Sequence, residues 1–235
     1  MKAIILAAGE AKRLGPVAEN KPKCLLKIGQ RTIIDYQIQA LLKAKIEDLV
    51  IVVGYKSEIL KNHVLSFYPT ISMKFIYNPI YYETNTIYSL WLASSEFDDD
   101  FLYLNADVLF HREILTKLIN SKFRNCLAVS LKPYEEEEVR VKVKRDFLED
   151  IGKEIEGDGE FIGLAKFSKE FGVEFKKELD TLAPTNKNAF FELALKRLIK
   201  NLNFLNIGSL PYIEIDFPED LTKARNEIYP KLRKI

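Results

Sequence analysis

The sequence predicts an α/β fold: a doubly wound, mixed but mostly parallel sheet with small antiparallel additions in its second half. Two patterns carry that expectation. The short apolar runs KAIILA, LVIVV, MKFIY and FLYLN have little internal polarity, as do strands buried on both faces of a parallel sheet. Helical patterns lie between them, and strand–helix alternation with short connections gives a right-handed, doubly wound sheet. Further along, Val139, Val141 and Val143 alternate with Arg140, Lys142 and Lys144, the period-two pattern of a half-exposed strand.

The first run, KAIILA, stops at Ala8-Gly9 and turns basic at Lys12 and Arg13. Thr32 and Asp35 make a capping-box-like start, with Asp in place of Glu or Gln, to a helix whose stripe is Ile34, Ile38, Leu41 and Leu42. Ser57 is placed as the cap of a second helix carrying Ile59, Leu60, Val64 and Leu65. Further helices are expected over 86–93 and 112–119. The second half is expected to hold strands around 147–151 and 161–167, helices over 171–179 and 189–199, and a strand over 212–215. The last helix begins at Pro218, where a first helical turn tolerates proline, and should be disturbed by Pro230. No Ser- or Gly-rich linker, repeat or low-complexity tract divides the chain. A single domain over 1–235 is therefore expected, with functional halves at about 1–120 and 121–235.

Composition narrows the function. The chain has 235 residues, 47% of them hydrophobic, with 35 basic against 34 acidic side chains and a net charge of +1. A general nucleic-acid binder shows a basic excess or stripe, and this chain does not. No apolar stretch reaches the length of a membrane span, and the N-terminal run lacks the architecture of a signal peptide. Cys24 and Cys126, far apart, read as reduced thiols of a cytoplasmic protein. The partners expected are thus small molecules, with neither nucleic acid nor membrane among them; a homodimer is a candidate assembly.

In an open α/β sheet, ligands bind beyond the carboxyl ends of the strands. Ala7, Ala8 and Gly9 leave the first strand at that edge with little side chain, so an anion can approach the backbone N–H groups. Arg13 suits two-point contact with phosphate, and Lys23 adds a compact charge. A surface loop with solvated cations is the ordinary alternative. The segment LAAGEAKRL followed by KPKCLLKIGQRTIIDYQI resembles the signature of the sugar-phosphate and alcohol-phosphate nucleotidyltransferases, roughly LAAGxGxRL then PKxLxxxxxxPLIxY. Here Ala11 stands at the usual third-position Gly, and Arg31-Thr32 where Lys-Pro is common. The resemblance implies the nucleotide-diphospho-sugar transferase fold, with Leu6, Ala7, Ala8, Gly9 and Ala11 along the nucleotide. It also implies that Arg13 holds the outgoing pyrophosphate and Lys23 the reacting α-phosphate, behind Pro22. Contact through the Ala11 N–H requires backbone angles accessible to alanine.

FLYLNADV places Asp107 just past a buried strand, and YIEIDFPED places Asp216 just after a short one. An aspartate at a strand end is by default a turn or capping residue. The resemblance makes Asp107 and Asp216 the pair that binds Mg²⁺, and leaves Asp220 to support the last helix. It also makes Lys153, in EDIGKEI, a contact to the acceptor phosphate, where a lone lysine would otherwise be a solvated charge. His63 and His111 are given surface or capping roles, because an anionic phosphate nucleophile needs no base.

The stretch IYNPIYYETNTIYSLWL bears on the base and the acceptor. Asn78, Thr84 and Asn85 stand where sugar-nucleotide enzymes have Gln-Pro and a Gly-rich segment, and the pattern is closer to cytidylyltransferases acting on alcohol phosphates. Both asparagines can donate and accept hydrogen bonds, as reading a pyrimidine requires, and both also suit turns. Tyr81, Tyr82, Tyr88 and Trp91 can cage a quaternary ammonium, although Tyr88 and Trp91, three apart on a helix, fit ordinary packing better. The acidic run 135–138 reads as a solvated face. Glu160, Tyr82 and Glu214 complete the candidate acceptor pocket. The expected activity is Mg²⁺-dependent transfer of a nucleotidyl group, CMP from CTP, to a small phosphomonoester such as phosphocholine, an aminoalkylphosphonate or inositol phosphate, with release of pyrophosphate. The alternatives are a sugar-1-phosphate nucleotidyltransferase using UTP or dTTP, and a non-catalytic nucleotide-binding regulatory subunit.

Overall fold

Strands without a polar face are stable only between two layers, and KAIILA, LVIVV and FLYLN lie buried inside one nine-stranded sheet, whereas MKFIY, expected to be buried on both faces, forms its edge with Lys74 and Tyr77 exposed. A computed structural model describes residues 1–18, 20–133 and 138–232. The chain runs β1 (Lys2–Ala7), the short ribbon β2 (Lys27–Ile28) and β3 (Arg31–Thr32), α1 (Ile33–Lys43), β4 (Asp48–Val53), α2 (Ser57–Phe67) and β5 (Ser72–Tyr77). It continues through α3 (Thr86–Leu92), β6 (Phe101–Asn105), β7 (Val108–Phe110), α4 (Arg112–Asn120), β8 (Cys126–Ser130), β9 (Arg140–Lys144), β10 (Phe147–Gly152) and β11 (Gly159–Phe167). It ends with α5 (Lys169–Leu182), α6 (Glu192–Arg197), β12 (Asn203–Asn206), β13 (Tyr212–Glu214), α7 (Pro218–Lys223) and α8 (Tyr229–Leu232). The sheet order is β5-β4-β1-β6-β11-β8-β12-β10-β9. β5, β4, β1 and β6 are parallel, as expected of the apolar runs.

Alternate residues of β1 face different cores. Ala3 and Ile5 pack with Ile34, Ile38 and Leu41 of α1 and Leu115 and Leu118 of α4. Ile4 and Leu6 pack with Ile87 and Leu90 of α3, Phe171 and Phe175 of α5, and Phe191. Each such Ile, Leu or Phe side chain, buried completely, contributes about 1.5–3 kcal/mol. A third cluster joins Leu14, Ile28, Leu109, Ile213, Ile215 and Leu221, tying the loop after β1 to the last helices.

One local expectation holds in detail. Thr32 caps α1 through the Asp35 N–H, and Asp35 returns the bond to the Thr32 N–H, completing the capping box with Asp at its third position. Others are corrected. Ser57 is not the cap of α2 but its first residue. The cap is Lys56, at φ 48°, because the turn after β4 brings the Ser57 N–H onto the Gly54 carbonyl and Ser57 is already helical. The antiparallel strands are more than an edge addition: β11, buried over all nine residues, lies between β6 and β8. The helix expected over 189–199 is α6 alone, followed by a 3₁₀ turn at Ile199–Asn201. Pro230 does disturb the last helix. A π-turn at Ala224–Ile228, in which the Tyr229 N–H reaches back to the Ala224 carbonyl, separates α7 from α8. Glu135, Glu136 and Glu137 of the acidic run lie outside the described residues.

Candidate active site

The carboxyl edge of the parallel strands gathers the chemistry. Immediately after β6, Asp107 begins a return into β7, and β7 pairs antiparallel with β13 in a register that sets Glu214 opposite Val108. The Ile215 N–H donates to the Asp107 carbonyl, so this two-stranded ribbon lays Asp216 beside Asp107 across a hundred residues of chain. Asp107, Glu214 and Asp216 each offer an oxygen within 4.8 Å of the others, the one such acidic group among the described residues. Between two of them stands Lys23, at the start of a 3₁₀ turn behind Pro22. Its ammonium donates to Asp107 Oδ2 at 2.7 Å and to Asp216 Oδ1 at 2.5 Å. Arg13 donates to Asp216 Oδ2 at 2.6 Å and lies over the Phe217 ring at 4.9 Å. A small cavity of about 50 Å³ is lined by Leu6, Ala7, Gly9, Lys23, Cys24, Ala106 and Asp107.

The charges act strongly on one another here. Burial opposes the Lys23 ammonium, but Asp107, Asp216 and Glu214 outweigh it and hold its pKa above the ordinary lysine value. Burial likewise opposes ionised Asp216, yet Lys23, Arg13 and Lys153 hold it below the usual carboxylate range. Glu214, although open to water on one side, is pushed up to about 8 by desolvation and by Asp107 and Asp216. Three carboxylates in such proximity call for positive charge. The buried Asp107 Oδ1 has no hydrogen-bond partner among the described residues. That oxygen and its neighbours fit a divalent cation, which takes oxygen ligands from one or two carboxylates and completes its shell with substrate and water.

Residues 2–141 match the sequence profile of the nucleotidyl transferase family. The chain belongs to that family. It is 31% identical over 251 residues to the CTP:phosphoglutamine cytidylyltransferase of Campylobacter jejuni, an alignment covering 94% of this chain and 98% of the relative. It is 35% identical over 123 residues to the choline-phosphate cytidylyltransferase of Streptococcus pneumoniae, 52% of each chain. The fold is shared with the inositol-1-phosphate CTP transferase of T. maritima at a TM-score of 0.85 and 23% identity, over 99% of this chain and 96% of that one. The chain is thus an enzyme of nucleotidyl transfer, with the nucleotide-diphospho-sugar transferase fold.

Against the family pattern, the departure at Ala11 is informative. Ala11 adopts φ 55°, the left-handed region that the usual glycine occupies freely and alanine at a cost of about 1–2 kcal/mol. Gly163, at φ 77°, is needed where β11 presses on β6: a Cβ there would lie 2.9 Å from Asn105 Nδ2 and 3.0 Å from Val108 Cγ2.

The other candidate residues fall in two groups. Lys153, after β10, lies 4.4 Å over the Phe190 ring and close enough to Glu192, Glu214 and Asp216 to favour their ionised forms. Glu160 is buried at the start of β11, opposite Ser130. Asn78, Thr84 and Asn85 are engaged in the chain itself. Asn78 is fully buried, with its amide donating to Thr84 Oγ1 and Ser89 Oγ and accepting from the Ile80 N–H. Asn85 Oδ1 accepts the Thr86 N–H at the start of α3. Tyr82 is 54% exposed and meets only the edge of Tyr81 among the described ring contacts. Tyr88 and Trp91 pack on each other at 5.4 Å, with Trp91 Nε1 donating to Asp180. His111 caps α4 and His63 faces Asp35.

Two contributors escaped the sequence reading. Gln37, buried on α1, donates through Nε2 to the Asn105 and Val108 carbonyls at 2.8 Å each, clamping the turn that carries Asp107. Its signal is a polar residue on the apolar side of the helix, one turn from Ile34. Glu192 is 5% exposed with no hydrogen-bond partner for its Oε2 among the described residues, and burial pushes its carboxyl up to about 7. A lone Glu inside AFFELAL was the signal.

Asp220 is a positioning residue. Its Oδ2 accepts the Asp216 N–H at 3.0 Å and the Phe217 N–H at 2.8 Å. Asp220→Ala is expected to lower stability by about 1 kcal/mol, the worth of such a cap. It should also lower turnover by roughly tenfold, as loss of an outer-shell support does. Thermal melting and steady-state kinetics read the two separately. Wild-type turnover alongside a lowered melting temperature would confine Asp220 to the helix.

Proposed function

We propose that the chain is a Mg²⁺-dependent cytidylyltransferase that moves CMP from CTP onto a small phosphomonoester or phosphonate. The observation that carries the reading is Lys23 bridging Asp107 and Asp216, with Arg13 on the far oxygen of Asp216. This places two cations and a carboxylate pair around one point at the ligand edge. The choice of CTP and of an alcohol- or amide-bearing acceptor is supported by the 31% identity, over nearly the whole of both chains, to an enzyme of phosphoglutamine.

In the reaction, an oxygen of the acceptor phosphate attacks the α-phosphorus in line, and the bond to the bridging oxygen of pyrophosphate breaks with its electron pair. The acceptor phosphate is already anionic near pH 7, with a second pKa of about 6, so no general base is needed. Bound Mg²⁺ supplies charge neutralisation at the transferring phosphoryl group. Asp107 and Asp216 are the residues that would hold it. Lys23 would meet the α-phosphate, Arg13 would grip the leaving pyrophosphate at two points, and Lys153 would hold the acceptor phosphate. Catalysis is positioning and electrostatics, which suits a reaction between two polyanions.

The test is pyrophosphate release with Mg²⁺, offering CTP, UTP, dTTP and ATP against phosphoglutamine, phosphocholine, aminoethylphosphonate, inositol-1-phosphate and glucose-1-phosphate. Turnover with CTP and one of the first four acceptors is expected. Turnover confined to UTP or dTTP with glucose-1-phosphate would replace the reading by sugar-nucleotide synthesis.

A further inference from the structure

Glu192 is a charge that the packing of the fold does not call for. It stands in the run AFFELAL, where every neighbour in sequence is apolar, and opens α6. An acidic side chain in a first helical turn is favourable, but it serves that purpose equally well at the surface. Glu192 is almost wholly buried instead, and its Oε2 finds no hydrogen-bond partner among the described residues. A leucine would fill the same space without desolvating a carboxylate. The usual compensation for a buried charge is an opposite one nearby.

That opposite charge is Lys153, the one charged group among the described residues that acts on Glu192. The other polar groups packed around α6 are committed elsewhere. Tyr103 of β6, whose ring lies 4.4 Å from Phe191, donates its hydroxyl to Asn105 Oδ1. Glu178 of α5 pairs with Arg197, and Asp150 of β10 with Lys196. From α3, Thr86 Oγ1 accepts the Phe191 N–H. Lys153 itself is held without a direct partner: its ammonium lies 4.4 Å over the Phe190 ring, and no hydrogen bond or ion pair takes up its donors among the described residues. Lys23, by contrast, has two donors on Asp107 and Asp216. A ring face and a charge behind it fix an ammonium while leaving its N–H groups available.

We propose that Glu192 is a positioning residue for the acceptor: its buried carboxylate, together with the Phe190 ring, keeps the Lys153 ammonium at the acceptor phosphate with its donors left for phosphate oxygens. This rests on the reading of Lys153 as the contact to that phosphate. Lys153 also favours the ionised forms of Glu214 and Asp216, so its charge is drawn from two sides. Without Glu192 the remaining pull comes from Glu214 and Asp216, and an ion pair there would take up the donors that the acceptor needs. Burial pushes the Glu192 carboxyl up to about 7, so the hold on Lys153 is complete only above that pH.

The test is the acceptor KM of the full chain with Mg²⁺, using the nucleotide and acceptor of the panel above that release pyrophosphate. Glu192→Gln keeps the shape and removes the charge. At pH 8 it is expected to raise the acceptor KM about fivefold and leave kcat within about twofold, a coupling in the range for neighbouring side chains. At pH 6, where wild-type Glu192 is itself mostly neutral, the two KM values should agree within about twofold. The ratio of the two proteins cancels the titration of the acceptor phosphate, which they share. Glu192→Asp, which keeps the charge, should lie nearer to wild type than Glu192→Gln. A lowered melting temperature with a KM ratio near one at both pH values overturns the proposal and confines Glu192 to the start of α6. Lys153→Gln separates the premise. A KM raised by Lys153→Gln but not by Glu192→Gln keeps the Lys153 contact and overturns the role of Glu192; a KM unchanged by both removes Lys153 from the acceptor phosphate, and the proposal with it. A readout without turnover is the carbon NMR line of Lys153 in the reductively methylated protein, identified as the line missing from Lys153→Arg. Its movement between pH 6 and pH 8 should shrink in Glu192→Gln, and an identical movement in both proteins overturns the proposal whatever the reaction.

Discussion

Asp107→Asn is expected to lower turnover by roughly 10³-fold while moving the melting temperature by no more than a few degrees. The size follows from the several kcal/mol of charge stabilisation that a metal ion gives a phosphoryl group, at about 1.36 kcal/mol per factor of ten. Asparagine keeps the shape and can still accept the Lys23 ammonium, so the loss falls on the metal and not on the fold. The substitution neutralises the carboxylate whose Oδ1 has no hydrogen-bond partner among the described residues. Asp107 is also one of the two carboxylates that Lys23 bridges, and the neutral side chain leaves that lysine with Asp216 as its paired anion. The checks are pyrophosphate release over a Mg²⁺ titration and a thermal melt. Activity within tenfold of wild type at saturating Mg²⁺ would remove Asp107 from the metal site.

Lys23→Ala is expected to be the second large loss, and to differ in kind. The chemical step should slow by roughly 10²–10³-fold, the range for removing one positioned donor from a developing charge. The acceptor KM should barely move. Without Mg²⁺ the variant should also be less stable than wild type by about 2 kcal/mol, because Asp107 and Asp216 then face each other with their bridging cation gone, a loss that can reach about 3–5 kcal/mol for a fully buried pair. Mg²⁺ should therefore raise its melting temperature more than it raises that of wild type. Single-turnover rates and melts with and without Mg²⁺ read both effects. A change confined to the acceptor KM would move Lys23 from the α-phosphate to the acceptor.

Much of the fold was legible because its signals are local. The runs KAIILA, LVIVV, MKFIY and FLYLN have little internal polarity, although MKFIY proves to be a half-exposed edge, and Thr32 with Asp35 forms its box within one turn. Strands β8 and β12 were not foreseen: CLAVS and NFLN are short, and only the partners on either side make them strands. The central place of β11 was equally hidden, since Phe161–Phe167 reads as a strand but nothing in it names its neighbours. In the site, Arg13 and Lys23 stood out as cations after small residues. The meeting of Asp107 with Asp216 did not follow from spacing, because it is made by the β7–β13 pairing and by the Asp220 cap. It was implied only by the resemblance to the family. Asn78 illustrates the opposite limit. An amide that can read a base and one that ties a turn look alike in sequence, and the geometry shows its donors and acceptor engaged within the turn.

The insertion of β11 between β6 and β8 also has a consequence for how the chain is made. While the polypeptide emerges from the ribosome, β1, β4, β5 and β6 can assemble early, but β6 then presents a bare edge of N–H and C=O groups. The strand that covers it follows roughly 60 residues later, several seconds of synthesis at about 5–20 residues per second. For that interval the nascent sheet is a template for pairing with any other extended chain. The same delay postpones the active centre, because β13 brings Glu214 and Asp216 later still. Folding and competence are therefore completed together, from the carboxyl-terminal end.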